Sequence, residues 1–218
     1  MISEADIDAV AAAGRALPPV EGPSFEDDFV LSLLETVLDY QLRTSVVVAA
    51  LGHFRARRWD EIRTLDDLDA ALARFPPDQI GNTALAVYLW GYRLWTRAQQ
   101  LRDLAAYFRS IGVVNGERLR AWAHASEFRR DFAGRVKGLG PAVYQALLMR
   151  QGVDTIKPDV HVRRFAEAAV GRRLGDEDLI DLVSRAAARL GLPARELDWR
   201  IWEAAQGGAV PSPGPPAP

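Results

Sequence analysis

The sequence predicts an all-α protein. Alanine and leucine are abundant and runs of β-branched residues are scarce, a composition that favours helices over strands. Apolar residues recur at steps near four, as in Phe29, Leu33, Val37 and Tyr40, and prolines, glycines and capping residues punctuate the segments so marked. A chain of 218 residues can bury one substantial core or two small ones, so a single body made of two helical lobes is expected.

Ser3 is placed to cap a first helix through about Leu17, and Pro18, Pro19 and Pro23 break it. The second helix reads from Phe25 to Tyr40. Its partner starts near Thr44 and should carry Val46, Val47, Val48 and Leu51 into the core. Thr64, followed by Asp66, Asp67 and Leu68, signals another capped start, and that helix ends before Pro76 and Pro77. From Asp78 to Ile111 the pattern is long, amphipathic and aromatic, with Tyr88, Trp90, Tyr92, Trp95, Tyr107 and Phe108, and Gly91 is a natural division. Rings at helical spacing are expected chiefly in a core rather than under bases. The interleaved Arg93, Arg97, Arg102 and Arg109 are the better candidates for phosphate contact.

Gly112 and Asn115-Gly116 mark turns, with short helices over Glu117–Ala123 and Ser126–Val136. A helix over Pro141–Gln151 follows, then a loop, Val153–Pro158, then Asp159 and a helix through Val170. Asp176 starts a helix to Leu190, and Pro193 leads into the last, which holds Trp199, Ile201 and Trp202. The tail 207–218, GGAVPSPGPPAP, is too poor in apolar residues to pack and is expected to be disordered.

The stretch richest in chemistry is Val136–Phe165. Gly138 and Gly140 flank Leu139, and Pro141 opens a helix where its missing N–H costs nothing. Two glycines let a backbone approach a ligand closely. The exposed amides of a helix start attract an anion, and beside Lys137 the anion this pattern favours is a phosphate. By residue type alone Asp159 is a helix N-cap, a role compatible with catalysis.

With the segment Asp159-Val160-His161-Val162-Arg163-Arg164, which looks like the motif D-x-H-[IV]-x-R, this hairpin resembles the helix-hairpin-helix DNA glycosylase superfamily. That group contains endonuclease III, the adenine-mismatch glycosylases and the alkylpurine glycosylases. The resemblance extends from about Phe25 to Trp202. It implies that Lys137, Gly138, Leu139, Gly140 and Ala142 grip a DNA phosphate through backbone amides, and that Asp159 is the catalytic carboxylate. It also implies two lobes, 24–152 ending in the helix-hairpin-helix and 1–23 with 153–206, with Asp159 in the cleft between them. Tyr40-Gln41-Leu42-Arg43-Thr44 is similar to the family turn whose glutamine wedges into the duplex, although Gln41 bonding only its own turn is an equally simple reading. The family's hairpin carbonyls often hold a monovalent cation; no other cofactor is implied as required.

Five positions refine the expectation. Bifunctional relatives attack with a lysine four positions after the first hairpin glycine; that position is Ala142, which cannot form a Schiff base, so lyase activity is not expected. Lys157, two residues before Asp159, is the substitute nucleophile to consider. Val143-Tyr144 replaces the family's Thr-Ala, so Tyr144 is either taken up by shifted packing or turned toward the cleft as a pocket residue. His161 is expected behind the site or in the core rather than as an acid or base.

The chain has no cysteine, which rules out disulfides and cysteine-held iron–sulfur clusters. His53, His124 and His161 have no metal-ligand spacing, so no metal site is expected. The net charge of −2 conceals an asymmetry: residues 1–70 carry 14 acids and 6 bases, whereas 93–174 carry 16 bases and 7 acids, so one part can follow phosphates. No apolar run approaches the roughly 20 residues of a membrane span, and no signal pattern opens the chain. A soluble, monomeric, cytoplasmic protein is expected, nucleoid-associated if bacterial. The function so predicted is removal of a damaged or mispaired base from double-stranded DNA in base excision repair, with an alkylated or deaminated purine as the default substrate. A non-catalytic binder of damaged or bent DNA is the alternative.

Overall fold

The computed structural model describes residues 1–22 and 28–207, and among these residues all regular structure is helical. None of the described helices is long and apolar enough to cross a membrane. The contacts divide the chain into two units, one of Phe25–Gln151 and one of Met1–Ser24 with Gly152–Pro218.

The Phe25–Gln151 unit is built around α2 (Phe29–Leu38), in which every residue but Glu35 is buried. Its sequence, FVLSLLETVL, is apolar nearly all round, as a helix enclosed by neighbours must be. The helix starts at Phe29 because the Asp28 carboxylate accepts the Leu31 N–H at 2.9 Å. Phe25, expected to begin it, lies outside the described residues. Around α2 pack α3 (Thr44–Arg58), α4 (Leu65–Ala73), α6 (Trp95–Ser110) and α8 (Pro141–Arg150). The two polar residues of α2 that are buried meet α8: Arg150 donates to Thr36 Oγ1 at 2.8 Å and Gln151 to Ser32 Oγ at 3.3 Å. The Arg150 charge lies 3.5 Å from Asp39 and 3.8 Å from Glu35, so this buried cation is paired.

On α3, Val47 and Leu51 are buried, but Val48 is 63% exposed and Val46 half-buried. Three consecutive helical residues sweep about 200°, so one core face cannot take all three valines. The segment 78–111 divides at Gly91 (φ 78), giving α5 (Gln79–Trp90) and α6. Its aromatic residues divide too: Trp90 and Phe108 are core, while Tyr92 and Trp95 are 40% and 38% exposed.

Three of the four arginines assigned to phosphate have structural partners instead. Arg102 donates to Leu72 O (2.8 Å), Phe75 O (2.7 Å) and Asn82 Oδ1 (2.8 Å), which satisfies carbonyls at the end of α4 and fastens them to α5. Arg109 pairs with Asp66 and Asp69 of α4. Arg97 is buried, and only Arg93 is exposed with no partner among the described residues.

The structure also corrects the helix expected over Ser126–Val136. After α7 (Gly116–Ala125), only a five-residue π-helical turn forms, Phe128–Phe132, and Gly134 (φ 74) turns the chain away. The widened turn lets Phe128 and Phe132 both face Tyr144, with ring centroids 5.5 and 5.4 Å away.

The second unit packs α1 (Glu4–Arg15), α9 (Val160–Val170), α10 (Asp176–Leu190) and α11 (Ala194–Gln206) around Ile7, Val10, Val162, Leu182, Leu197 and Ile201. A Ser3–Asp6 capping box starts α1, which stops at Arg15. Arg185 and Arg189 of α10 reach Glu4 of α1. The predicted disorder of the tail concerns residues that, from 208 onward, lie outside the described ones.

Candidate nucleic-acid interface

In the Phe25–Gln151 unit the glycine turn runs from the end of the π-helical segment into α8. Val136 and Leu139 are buried, anchoring the turn, and Lys137 and Gly138 are exposed between them. Gly138 has φ 86, a conformation that disfavours any residue with a Cβ. Gly140 is different: its φ of −101° and ψ of −168° are ordinary extended values, and a Cβ built there meets nothing within 4 Å. Folding therefore leaves Gly140 free to carry a side chain, and open space lies where that side chain would be.

No side chain caps α8, so the amides of its first turn, Ala142's among them, lack the partners that a capping oxygen would supply. With the helix dipole behind them and Lys137 beside them, these amides suit an anion. The Leu139 N–H is already used, donating to Val136 O at 3.2 Å, so Leu139 contributes a buried anchor rather than a free donor. The carbonyls of Val136, Lys137 and Gly140 each accept a hydrogen bond, from Leu139, Gln100 and Tyr144. A monovalent cation would have to share them.

The Gln41 turn lies in the same unit. Gln41 is exposed and has φ 55, the one positive φ among described non-glycine residues. A left-handed conformation costs an L-residue about 1–2 kcal/mol and persists where its surroundings over-determine it. Those surroundings are specific. Tyr40 donates its hydroxyl to Gln100 Oε1 at 2.7 Å, and Arg97 donates to Tyr40 O at 2.7 Å and to Gln100 Oε1 at 3.2 Å. Gln100 Nε2 in turn donates to Lys137 O at 3.0 Å. The Arg97 guanidinium lies 3.5 Å above the Tyr40 ring, and burial lowers its pKa from the ordinary value while Tyr40 opposes that shift. The structure thus joins the Gln41 turn to the glycine turn through Gln100. Nothing in the sequence marks Gln100 for this role, because a glutamine three residues after an arginine in a helix reads as a solvated face.

Tyr144 is 2% exposed, which overturns its alternative as a pocket residue. Its hydroxyl meets Ser126 Oγ at 2.8 Å, its ring packs among Trp122, Phe128 and Phe132, and burial raises its pKa.

Asp159 belongs to the other unit, where it caps α9. Its Oδ1 accepts both the His161 N–H (2.8 Å) and the Val162 N–H (3.1 Å), while Oδ2 has no partner among the described residues. One oxygen thus fixes the carboxylate and the other remains available, on a half-buried residue. The loop before it is held from behind: the Lys157 N–H donates to Asp198 Oδ2 at 2.7 Å, and Asp154 accepts the Ala194 and Arg195 N–H groups. His161 is half-buried, and Arg164 is exposed, while Arg163 turns back to Leu174 O, Glu167 and Asp176. Among the described residues no three His, Asp or Glu side chains could together hold a metal ion.

A family model described as a domain of unknown function, DUF8548, matches residues 92–206, just over half of the 218. The chain belongs to the DUF8548 family. No curated protein and no solved structure matches it. The DUF8548 segment takes in Gln100, the glycine turn and Asp159, and begins after Gln41.

Proposed function

We propose that this protein is a DNA glycosylase that hydrolyses the N-glycosidic bond of a damaged or mispaired base in double-stranded DNA, without lyase activity. The observation that carries the reading is the start of α8, an uncapped helix entered through a glycine that the fold does not need and that faces open space. A phosphate is the anion such a backbone cradle fits best beside Lys137. In this reading the turn is the hairpin of a helix-hairpin-helix, and Gln41 fills the gap left when the target nucleotide leaves the stack.

Asp159 supplies the chemistry. As the bond between C1′ and the base nitrogen breaks, its electron pair leaves with the base and the sugar gains oxocarbenium character. A carboxylate oriented by two amides, with Oδ2 turned to the sugar, stabilises charge that exists mainly in the transition state. Water then adds to C1′ and gives up a proton, with Asp159 as acceptor. Ala142, where relatives with lyase activity carry a lysine, leaves water as the nucleophile.

One observation favours a second reading, a non-catalytic binder of bent or damaged DNA: the two amide bonds to Asp159 Oδ1 explain that residue as a helix cap with no chemistry. Release of free base from a panel of duplexes, each with one lesion or mismatch, separates the two. The glycosylase reading expects release from at least one duplex by the native protein and none by Asp159→Asn. Binding by both proteins with release by neither supports the binder.

A further inference from the structure

Gln100 uses both ends of its amide. The carbonyl accepts from Tyr40 Oη and Arg97 Nη1 on the Gln41 side, and the NH2 donates to Lys137 O on the glycine-turn side. The amide crosses directly over Gly138, since a Cβ there would lie 2.7 Å from Gln100 Nε2. Arg97, 8% exposed, is fixed by Tyr40 O and by its seat on the Tyr40 ring. The residue before Tyr40, Asp39, is held by Arg150 from α8. The strained Gln41 backbone therefore has its preceding neighbours secured, and the same atoms secure the glycine turn.

We propose that Gln100, braced by Arg97 and Tyr40, is a positioning residue that fixes the spacing between Gln41 and the glycine turn, and that this spacing makes the protein prefer duplex with a gap in its base stack over intact duplex. The inference rests on the DNA reading above and adds to it the form of DNA that is recognised. Two contacts held at a preset distance need no ordering on binding, and they cannot adapt to a shape that does not suit them. Intact duplex must unstack a base to receive Gln41, whereas duplex lacking a base has the space already. A flexible pair of loops would follow either form and discriminate little. Rigid coupling turns the difference in DNA deformation into a difference in affinity.

Two substitutions cut the bridge at opposite ends. Gln100→Glu keeps the acceptor for Tyr40 and Arg97 but places a carboxylate oxygen against the Lys137 carbonyl in place of a donor. Tyr40→Phe keeps the ring beneath Arg97 and removes only the hydroxyl bond. The probes are two fluorescent duplexes, one intact and one with a tetrahydrofuran abasic analogue. Native protein is expected to bind the gapped duplex about tenfold or more tightly than the intact one. Both variants should lose most of that ratio, with affinity for the gapped duplex falling further than affinity for the intact one, while keeping a cooperative melt. Amide exchange, measured without DNA, should quicken at residues 40–43 and 137–140 together in each variant. A ratio unchanged in both variants, or exchange in the glycine turn that neither variant alters, overturns the proposal. Absence of DNA binding by native protein instead defeats the reading beneath it, since exchange reports the coupling independently.

Discussion

The two glycines of the turn before α8 should respond in opposite ways to alanine, and the structure gives the size of each response. At Gly138 a Cβ must adopt φ 86, a conformation that costs an L-residue about 1–2 kcal/mol. It would also lie 2.7 Å from Gln100 Nε2. Displacing that amide loses a hydrogen bond worth about 1 kcal/mol, so Gly138→Ala should cost about 2–3 kcal/mol in all. For a protein of this size that is a fall of about 4–12 °C in Tm. At Gly140 the backbone is extended and nothing lies within 4 Å of the added methyl, so Gly140→Ala should melt with the native protein or slightly above it. The methyl would, however, stand in the open space at the start of α8, where the phosphate is proposed to sit. Losing one phosphate contact there costs about 1.5–3 kcal/mol, about tenfold to a hundredfold in Kd. Calorimetric melting and fluorescence anisotropy at one fixed salt concentration measure both quantities. Gly140→Ala protein that melts normally and binds duplex as tightly as native protein would refute the assignment of the phosphate to this turn.

Other consequences follow from single contacts. Gln41→Gly should raise stability by about 0.5–1 kcal/mol, since glycine accepts φ 55 without strain, while slowing single-turnover base release about tenfold or more; a variant that gains stability and keeps its rate removes Gln41 as the wedge. Arg102→Met should cost about 2–4 kcal/mol in denaturant unfolding, because the carbonyls of Leu72 and Phe75 lose their donor. Acid should loosen α1 in a defined window. The Ser3 amide, then the Arg172 guanidinium and the Ser3 hydroxyl, lower the Asp6 pKa from 3.8 to about 2. With the folded pKa below the unfolded one, the stabilisation is present above about pH 4 and is lost as pH falls through about 2. Amide exchange in α1 should accelerate across that range in native protein, and Asp6→Asn should remove the step.

The helices were legible wherever a strong local signal marked them. Thr64 with Asp67, Gly91, Asp159 and Pro141 each begin or end a helix as their types dictate. In the segment 126–136, Phe128, Phe132 and Val136 recur every four residues, a spacing that does not say which hydrogen-bond ladder will form; the choice of a π-helical turn is made by packing of Phe128 and Phe132 on Tyr144. The arginines show a similar limit. Interleaved with an aromatic stripe, they are the sequence's candidates for phosphate contact, but Arg97, Arg102 and Arg109 find carbonyls and carboxylates far along the chain. For the candidate site, sequence pointed to the glycine turn, Gln41 and Asp159. It was silent about Gln100, because the partners that give that glutamine its role, Tyr40 and Lys137, are brought to it only by folding.

The central claim of the proposed function is that the Asp159 carboxylate meets the positive charge that develops on the sugar, and it can be tested before the lesion is known. A duplex carrying a pyrrolidine in place of one sugar presents a cation where the oxocarbenium charge would develop, and a tetrahydrofuran duplex presents the same shape without charge. Transition-state mimics gain about a hundredfold or more over ground-state analogues, so native protein should bind the pyrrolidine duplex tightly and Asp159→Asn should bind the two alike. Equal affinity of native protein for the two duplexes, or a preference for the pyrrolidine duplex that Asp159→Asn keeps, would contradict the claim.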